Sequence, residues 1–183
     1  TSRYGKRRCV LAKVFSAFCF SITMEAVILL IGFMMFCAGR GLAGWDTDIQ
    51  LSEMMVFSRI RQPFKCCEAA LMTAFLAMMS TITVTGLTLL FSVLCPTSFV
   101  SIILAAVTYL APMFMSPGSE TARRILILFP ANSISISGVM TAGGIPAAGL
   151  MIPLTVMVGV IAAVAAAAGI WGSKSIFSRH QVC

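Results

Sequence analysis

Long apolar runs with very few charges dominate this 183-residue chain. Only 10% of its residues are charged and 59% are hydrophobic, whereas about 25% of the residues of a soluble domain are charged. So few charges cannot cover a water-facing surface, and the composition therefore places the chain in a lipid bilayer. The alternating polarity typical of barrel strands is absent from the sequence, which favours helices. We predict an all-α membrane protein in which residues 1–183 form one transmembrane domain.

Four apolar stretches approach the roughly 20 residues that a helix needs to cross about 30 Å of hydrocarbon. They cover residues 15–37, 69–94, 99–115 and 150–171. The third stretch is the shortest, and Pro112 near its end predicts a kink or an early end of that helix. The sequence "CPTS" between the second and third stretches predicts a tight turn.

The longest connection follows the first stretch. A helix over residues 48–60 would carry on one face Ile49, Met54, Phe57 and Ile60. This spacing predicts an interfacial amphipathic helix. Another connection, over residues 116–149, is apolar but interrupted. Ser119 is typical of a helix start, and Pro130 ends the apolar run that follows this start. We expect a short re-entrant or interfacial helix there, whose backbone is satisfied by protein or water.

Basic residues predict the orientation of the chain. A basic segment at the amino terminus contains Arg3, Lys6, Arg7, Arg8 and Lys13. Lysine and arginine are enriched on the cytoplasmic side of membrane helices, so this segment is predicted to be cytoplasmic. Four crossings would return the carboxyl terminus to the same side. The net charge of +7 favours contact with anionic lipids, and no nucleic-acid partner is expected because the charges form no single stripe.

The sequence has no motif typical of catalysis or cofactor binding. His180 is the only histidine, and no second ligand pair lies near Cys66 and Cys67, so we predict no metal site and no hydrolytic catalysis. The "GRGLAG" sequence at residues 39–44 has dinucleotide-fingerprint spacing, but no strand precedes it. We interpret it as a flexible exit from a helix. No cofactor is expected, and any ATP hydrolysis would take place on another polypeptide.

Two polar features within the apolar stretches are candidates for function. Glu25 lies near the middle of the first stretch, where a carboxylate costs about 3 kcal/mol on insertion scales. It should therefore face protein or water, either bonded to a neighbouring helix or on a translocation path. The second stretch carries a hydroxyl stripe formed by Thr81, Thr85, Thr88 and Ser92. These residues share one helical face and either support helix packing or line a cavity.

Small residues recur every four positions in the last apolar stretch. They are Gly159, Ala163 and Ala167. Small side chains at this spacing allow a second helix to approach closely. This face is therefore suited to close packing against another helix.

The opening sequence "TSRYGKRRCVLAK" resembles the cytoplasmic segment before the third membrane helix of bacterial permeases of the type-2 ABC exporter family. The matching positions are Tyr4, Gly5, Lys6, Arg7 and Lys13. "GWDTDIQ" (residues 44–50) is similar to the external stretch after that helix, and "FSRHQV" resembles the basic tail that closes such permeases. Four spans, a tight inner turn and an outer re-entrant segment also match the second half of a six-helix permease.

This resemblance implies a membrane permease subunit of an ATP-driven exporter that forms part of the translocation pathway. It implies three kinds of partner: a separate ABC ATPase subunit, a second permease subunit and membrane lipids. It further implies that the chain is the C-terminal portion of a longer permease in the cell membrane, with both ends of the chain cytoplasmic. The alternative is a non-transporting membrane scaffold or assembly protein, which would have the same spans but no cognate ATPase.

Overall fold

The computed structural model describes residues 5–41, 44–49, 64–95, 97–142, 144–147 and 150–179. Three of its helices are long and apolar enough to cross a membrane. They are α1 (Gly5–Arg40), α2 (Cys66–Leu94) and α7 (Leu154–Arg179). Their length and composition confirm a mostly helical protein and indicate that it associates with a membrane through more than one helix.

The third apolar stretch forms a shorter helix than the other three. α3 covers Ser98–Leu110 and continues as a 3₁₀ turn over Ala111–Phe114. The α-helix ends there because Pro112, within the turn, has no N–H to donate and a ring that crowds the preceding turn. At the other end, the Thr97 hydroxyl accepts a hydrogen bond from the Val100 N–H at 3.4 Å and caps the helix. That this short helix crosses the membrane stays a prediction.

Main-chain hydrogen bonds join the segment after α1 to the start of α2. α1 ends where Gly41 takes a φ of 68°, the left-handed conformation that commonly follows a helix. The Thr47 carbonyl then accepts a bond from the Cys66 N–H at 3.0 Å, and the Trp45 carbonyl accepts one from the Cys67 N–H at 3.1 Å. These bonds satisfy donors that a helix leaves free in its first turn.

Most of the predicted amphipathic helix over residues 48–60 lies outside the described residues. Its first apolar member, Ile49, is buried and packs with Ala69 of α2. The Ile49 N–H donates to the Phe64 carbonyl at 2.8 Å, and Asp48 pairs with Lys65 as an isolated antiparallel bridge. The described ends of this connection therefore lie against the first turn of α2.

The backbones of α2 and α7 are in direct contact. A Cβ atom on Gly86 would lie 2.5 Å from the Ala165 carbonyl oxygen, and one on Gly169 would lie 2.6 Å from the Gly86 carbonyl oxygen. No side chain fits at these distances, so both glycines are required for this approach. This helix pair is the centre of the fold.

The small-residue stripe predicted on α7 does not make this contact. Gly159 faces open space, and Ala163 and Ala167 are exposed. The buried face instead contains Val158, Ala162, Ala165 and Gly169. These positions follow the 3.6-residue period of a helix, whereas a strict four-residue repeat drifts around it. Within the described chain, α7 therefore packs on a different face from the one that carries this stripe.

A short β-hairpin interrupts the predicted all-α architecture. β1 (Gly144–Ala147) pairs antiparallel with β2 (Leu150–Pro153), and α7 begins at Leu154. The expectation that a helix starts at residue 150 was therefore wrong. The reason lies in Pro153, because a proline disfavours the helical conformation of the residue before it. Ile152 accordingly stays extended, and the helix starts only beyond the proline.

Three short helices form where the sequence predicted one re-entrant or interfacial helix. They are α4 (Glu120–Ile127), α5 (Pro130–Ser133) and α6 (Ile136–Ala142). As predicted, Ser119 starts α4: its hydroxyl accepts a bond from the Ala122 N–H at 3.2 Å. The helical run is interrupted at Phe129, and a new helix, α5, begins at Pro130. This is because proline is tolerated only at the beginning of a helix. We call residues 120–142 the broken-helix segment.

Candidate functional site

The broken-helix segment is hydrogen-bonded to the middle of α2. Ser80 lies at the midpoint of α2, and its buried hydroxyl donates to the Pro130 carbonyl at 2.7 Å. The Ser133 hydroxyl donates to the same carbonyl at 3.0 Å. A buried carbonyl without a partner costs free energy. These two hydroxyls therefore make it possible for the helix break to lie inside the protein.

Asn132 satisfies backbone carbonyls at two further helix ends. Its side-chain amide donates to the Leu126 carbonyl at 3.1 Å and to the Pro112 carbonyl at 3.2 Å. Leu126 belongs to the last turn of α4, and Pro112 belongs to the 3₁₀ turn after α3. The Leu126 carbonyl also accepts from the Phe129 N–H at 3.3 Å. The Asn132 side chain thus joins three elements at the break.

Apolar contacts show how the broken-helix segment runs along α2. The main cluster joins α2, α4, α6 and α7 through the buried residues Leu76, Ile127, Val139, Leu154 and Val158. A second cluster, at the start of α2, contains Ala69 and the α6 residue Met140. α4 thus ends near the middle of α2, whereas Ile136 and Met140 place α6 beside the beginning of α2. The bond from Arg123 to Thr141 joins the first turn of α4 to the end of α6. The segment enters and leaves on the side where α2 starts.

Glu25 lies half-buried on α1. The helix around it is largely uncovered: Met24 is 47% exposed and Ile28 is 62% exposed, and only 6% of the apolar part of α1 is buried. The described residues provide no hydrogen-bond donor to the Glu25 carboxylate. A structural role for Glu25 therefore requires a hydrogen-bond donor from outside the described part of the chain. A role on a translocation path does not require such a donor.

The hydroxyl stripe of α2 is half-buried at its first three positions and exposed at Ser92. The Thr85 hydroxyl donates to the Thr81 carbonyl at 2.8 Å, and the Thr88 hydroxyl donates to the Val84 carbonyl at 2.8 Å. Such bonds to the preceding turn are common for threonine within helices. They satisfy these two hydroxyl donors inside α2, so only the oxygen lone pairs are left to accept from a ligand.

The structure brings different polar residues of the chain together. Ser80 and Thr83 are the buried hydroxyls of α2, at 3% and 4% exposure. Thr83 bonds the Met79 carbonyl of its own helix, whereas Ser80 reaches the broken-helix segment. Neither Ser80 nor Asn132 was predicted as a site residue from the sequence. The available signal was Pro130, because a helix break in an apolar segment frees carbonyls that require donors.

The basic segment is partly helical. Arg3 lies outside the described residues, whereas the backbone of Lys6, Arg7 and Arg8 belongs to the first turns of α1. Lys13 is exposed. The helix therefore begins before the predicted span and carries these basic residues along its first turns.

A small cleft with an enclosed volume of about 10 Å³ lies between α2 and α3. It is lined by Val84, Leu87, Ala105, Thr108, Tyr109 and Pro130. The Thr108 hydroxyl donates to the Leu104 carbonyl of its own helix. The cleft is smaller than the roughly 300–1,000 Å³ typical of small-molecule sites. Within the described ranges, no three His, Cys, Asp or Glu residues form a group that could hold a metal ion.

Comparisons with known proteins gave no match to any family model, curated protein or solved structure. The resemblance to exporter permeases therefore rests on the sequence motifs quoted above. The function that follows from them is a proposal.

Proposed function

We propose that this chain is a permease subunit of an ATP-driven exporter and forms part of its translocation pathway. The observation that carries the proposal is the bond between Ser80, at the midpoint of α2, and the Pro130 carbonyl. It holds a helix break at the depth of the middle of a candidate membrane span. Non-helical backbone at this depth is tolerated only where protein or water satisfies it, as in the broken helices of transporters.

The arrangement of the broken-helix segment supports the same proposal. Ile127 packs near the middle of α2, and Met140 packs at its start. A segment that enters and leaves on one side corresponds to the outer re-entrant segment expected between the last two spans of such a permease. The polar bonds of Asn132 and Ser133 stabilise it in an apolar environment.

The chain itself performs no bond chemistry in this proposal. A separate ATPase subunit binds at the cytoplasmic face, where the basic segment lies, and hydrolyses ATP. Two permease subunits flank a pathway that opens to either side in turn. ATP-driven closure of the ATPases shifts the equilibrium between these two states. The same chain without a cognate ATPase would be a membrane scaffold.

The test is co-expression with a phosphate-loop ATPase encoded beside the gene of this protein. We expect the two to co-purify in mild detergent, and we expect the chain to stimulate ATP hydrolysis in lipid nanodiscs. An ATPase variant without its phosphate-loop lysine is the control, since it should co-purify but should not hydrolyse ATP. If the folded chain neither binds this ATPase nor stimulates it, the proposal fails and the scaffold alternative is favoured.

A further inference from the structure

Two neighbouring arginines of α4 share one carboxylate. Glu120 Oε2 lies 3.6 Å from Arg123 Nη1, and Glu120 Oε1 lies 3.7 Å from Arg124 Nε. Both distances are longer than a hydrogen bond, so Glu120 attracts the two guanidinium groups without satisfying their donors. Arg124 Nε is buried and has no hydrogen-bond partner among the described residues. Two positive charges thus face a single negative one.

The side chain of Arg123 is held by α6. Arg123 Nη2 donates to the Thr141 hydroxyl oxygen at 3.0 Å, and that hydroxyl donates to the Ser137 carbonyl at 2.6 Å. The side chains of Arg123 and Arg124 keep 43% and 26% of their surface exposed. Donors that are already held in place lose less conformational freedom when they bind a ligand.

The arginines lie at the level where α2 begins. Thr141 follows Met140, which packs in the cluster of Ala69 at the start of α2. At the other end of α4, Ile127 packs in the cluster of Leu76, two helical turns farther along α2. With α2 placed across a bilayer, the arginines lie at the headgroup level and the end of α4 lies at the level of the acyl chains.

An exposed apolar surface lies beside the arginines. It contains Met113, Phe114, Met115, Ile125 and Phe129, whose exposures range from 37% to 85%. Asn132 bonds both Pro112 and Leu126 and so keeps the two stretches that carry these side chains next to each other. Positive charge above an apolar surface matches the chemistry of a phospholipid, in which phosphate lies above acyl chains.

We propose that Arg123 and Arg124 bind the phosphate of one anionic phospholipid, whose acyl chains lie on this apolar surface. Guanidinium groups pair with phosphate through two parallel hydrogen bonds. The excess positive charge around Glu120 favours an anionic lipid over a zwitterionic one. This site does not depend on the transport function proposed above.

The test is native mass spectrometry of the purified chain with phosphatidylglycerol or phosphatidylcholine at equal concentration. We expect the chain to prefer phosphatidylglycerol, and we expect Arg123→Gln and Arg124→Gln each to weaken that binding about fivefold. Glu120→Gln should strengthen it, because the competing carboxylate is gone. Glu68→Gln is the matched control: it makes the same change of charge in the first turn of α2 and should leave the binding unchanged.

Equal binding of the two lipids by the unmodified chain would overturn the proposal. So would an equal gain from Glu68→Gln and Glu120→Gln, since that result would mean nonspecific attraction. Glycerol phosphate without acyl chains should not compete at the lipid concentration, and competition would refute the lipid as the ligand. If circular dichroism shows that the arginine variants are unfolded, the lipid binding of Glu120→Gln compared with that of Glu68→Gln decides whether the proposal stands.

Discussion

Replacing Gly86 by alanine should weaken the packing of α2 against α7. The new Cβ atom would lie 2.5 Å from the Ala165 carbonyl oxygen, whereas ordinary contacts begin near 3.4 Å. The two backbones must therefore move apart by about 0.9 Å, and neither can yield as a flexible side chain would. Overpacking of this kind costs about 1–3 kcal/mol.

The matched control is Gly159→Ala on α7, where the new Cβ atom meets nothing within 4 Å. Both substitutions gain the same helix propensity, up to about 1 kcal/mol relative to glycine. The difference between the two variants therefore isolates the packing cost. We expect Gly86→Ala to be less stable than Gly159→Ala by about 1–3 kcal/mol, measured by titration with SDS in mixed micelles and followed by far-ultraviolet circular dichroism.

Equal stability of Gly86→Ala and Gly159→Ala would refute the direct contact of the two backbones. A second variant, Gly169→Ala, tests the same contact from the other helix, because its Cβ atom would lie 2.6 Å from the Gly86 carbonyl oxygen. The double variant should lose less than the sum of the two single losses, since one separation of the helices accommodates both methyl groups. Additive losses would mean that the two glycines do not share one contact.

Asn132→Leu should lower the free energy of unfolding by about 1–3 kcal/mol, because the carbonyls of Pro112 and Leu126 lose the bonds that this amide donates; an unchanged SDS titration would contradict the role of this amide. Glu25→Gln should leave abundance and ATPase stimulation nearly intact, since the amide keeps a hydrogen-bonding group; an abundant but inactive variant would assign Glu25 to the pathway. Cys66 and Cys67 should react with an impermeant thiol reagent in intact cells and Cys183 should not; the reverse pattern would invert the predicted orientation.

Local signals in the sequence predicted the long helices and several of their ends. Uninterrupted apolar length predicted α1 and α2, and Pro112 and Ser119 each marked a boundary that the structure confirms. These features act within one turn of the chain, where proline geometry and side-chain caps dominate. They can therefore be deduced without knowledge of the tertiary fold.

The contacts of the candidate site depend on residues that are far apart in the sequence. Ser80 and Pro130 are separated by 50 positions, and nothing in the sequence distinguishes Ser80 from the other hydroxyls of α2. The packing face of α7 was missed because glycine and alanine lie all around that helix. The hairpin was missed because a short apolar run is compatible with either strand or helix.

The depth of residue 129 in the bilayer tests the re-entrant arrangement most directly. A spin label on Phe129→Cys, in a cysteine-free background in nanodiscs, reports its accessibility to dissolved oxygen and to a water-soluble nickel chelate. Reference labels replace Phe75, which is exposed on α2 near its middle, and Lys65, which is exposed at the start of α2. The label at residue 129 should match the one at residue 75, with oxygen favoured over nickel. A label at residue 129 as accessible to nickel as the one at residue 65 would contradict the re-entrant arrangement and remove the main support for the permease proposal.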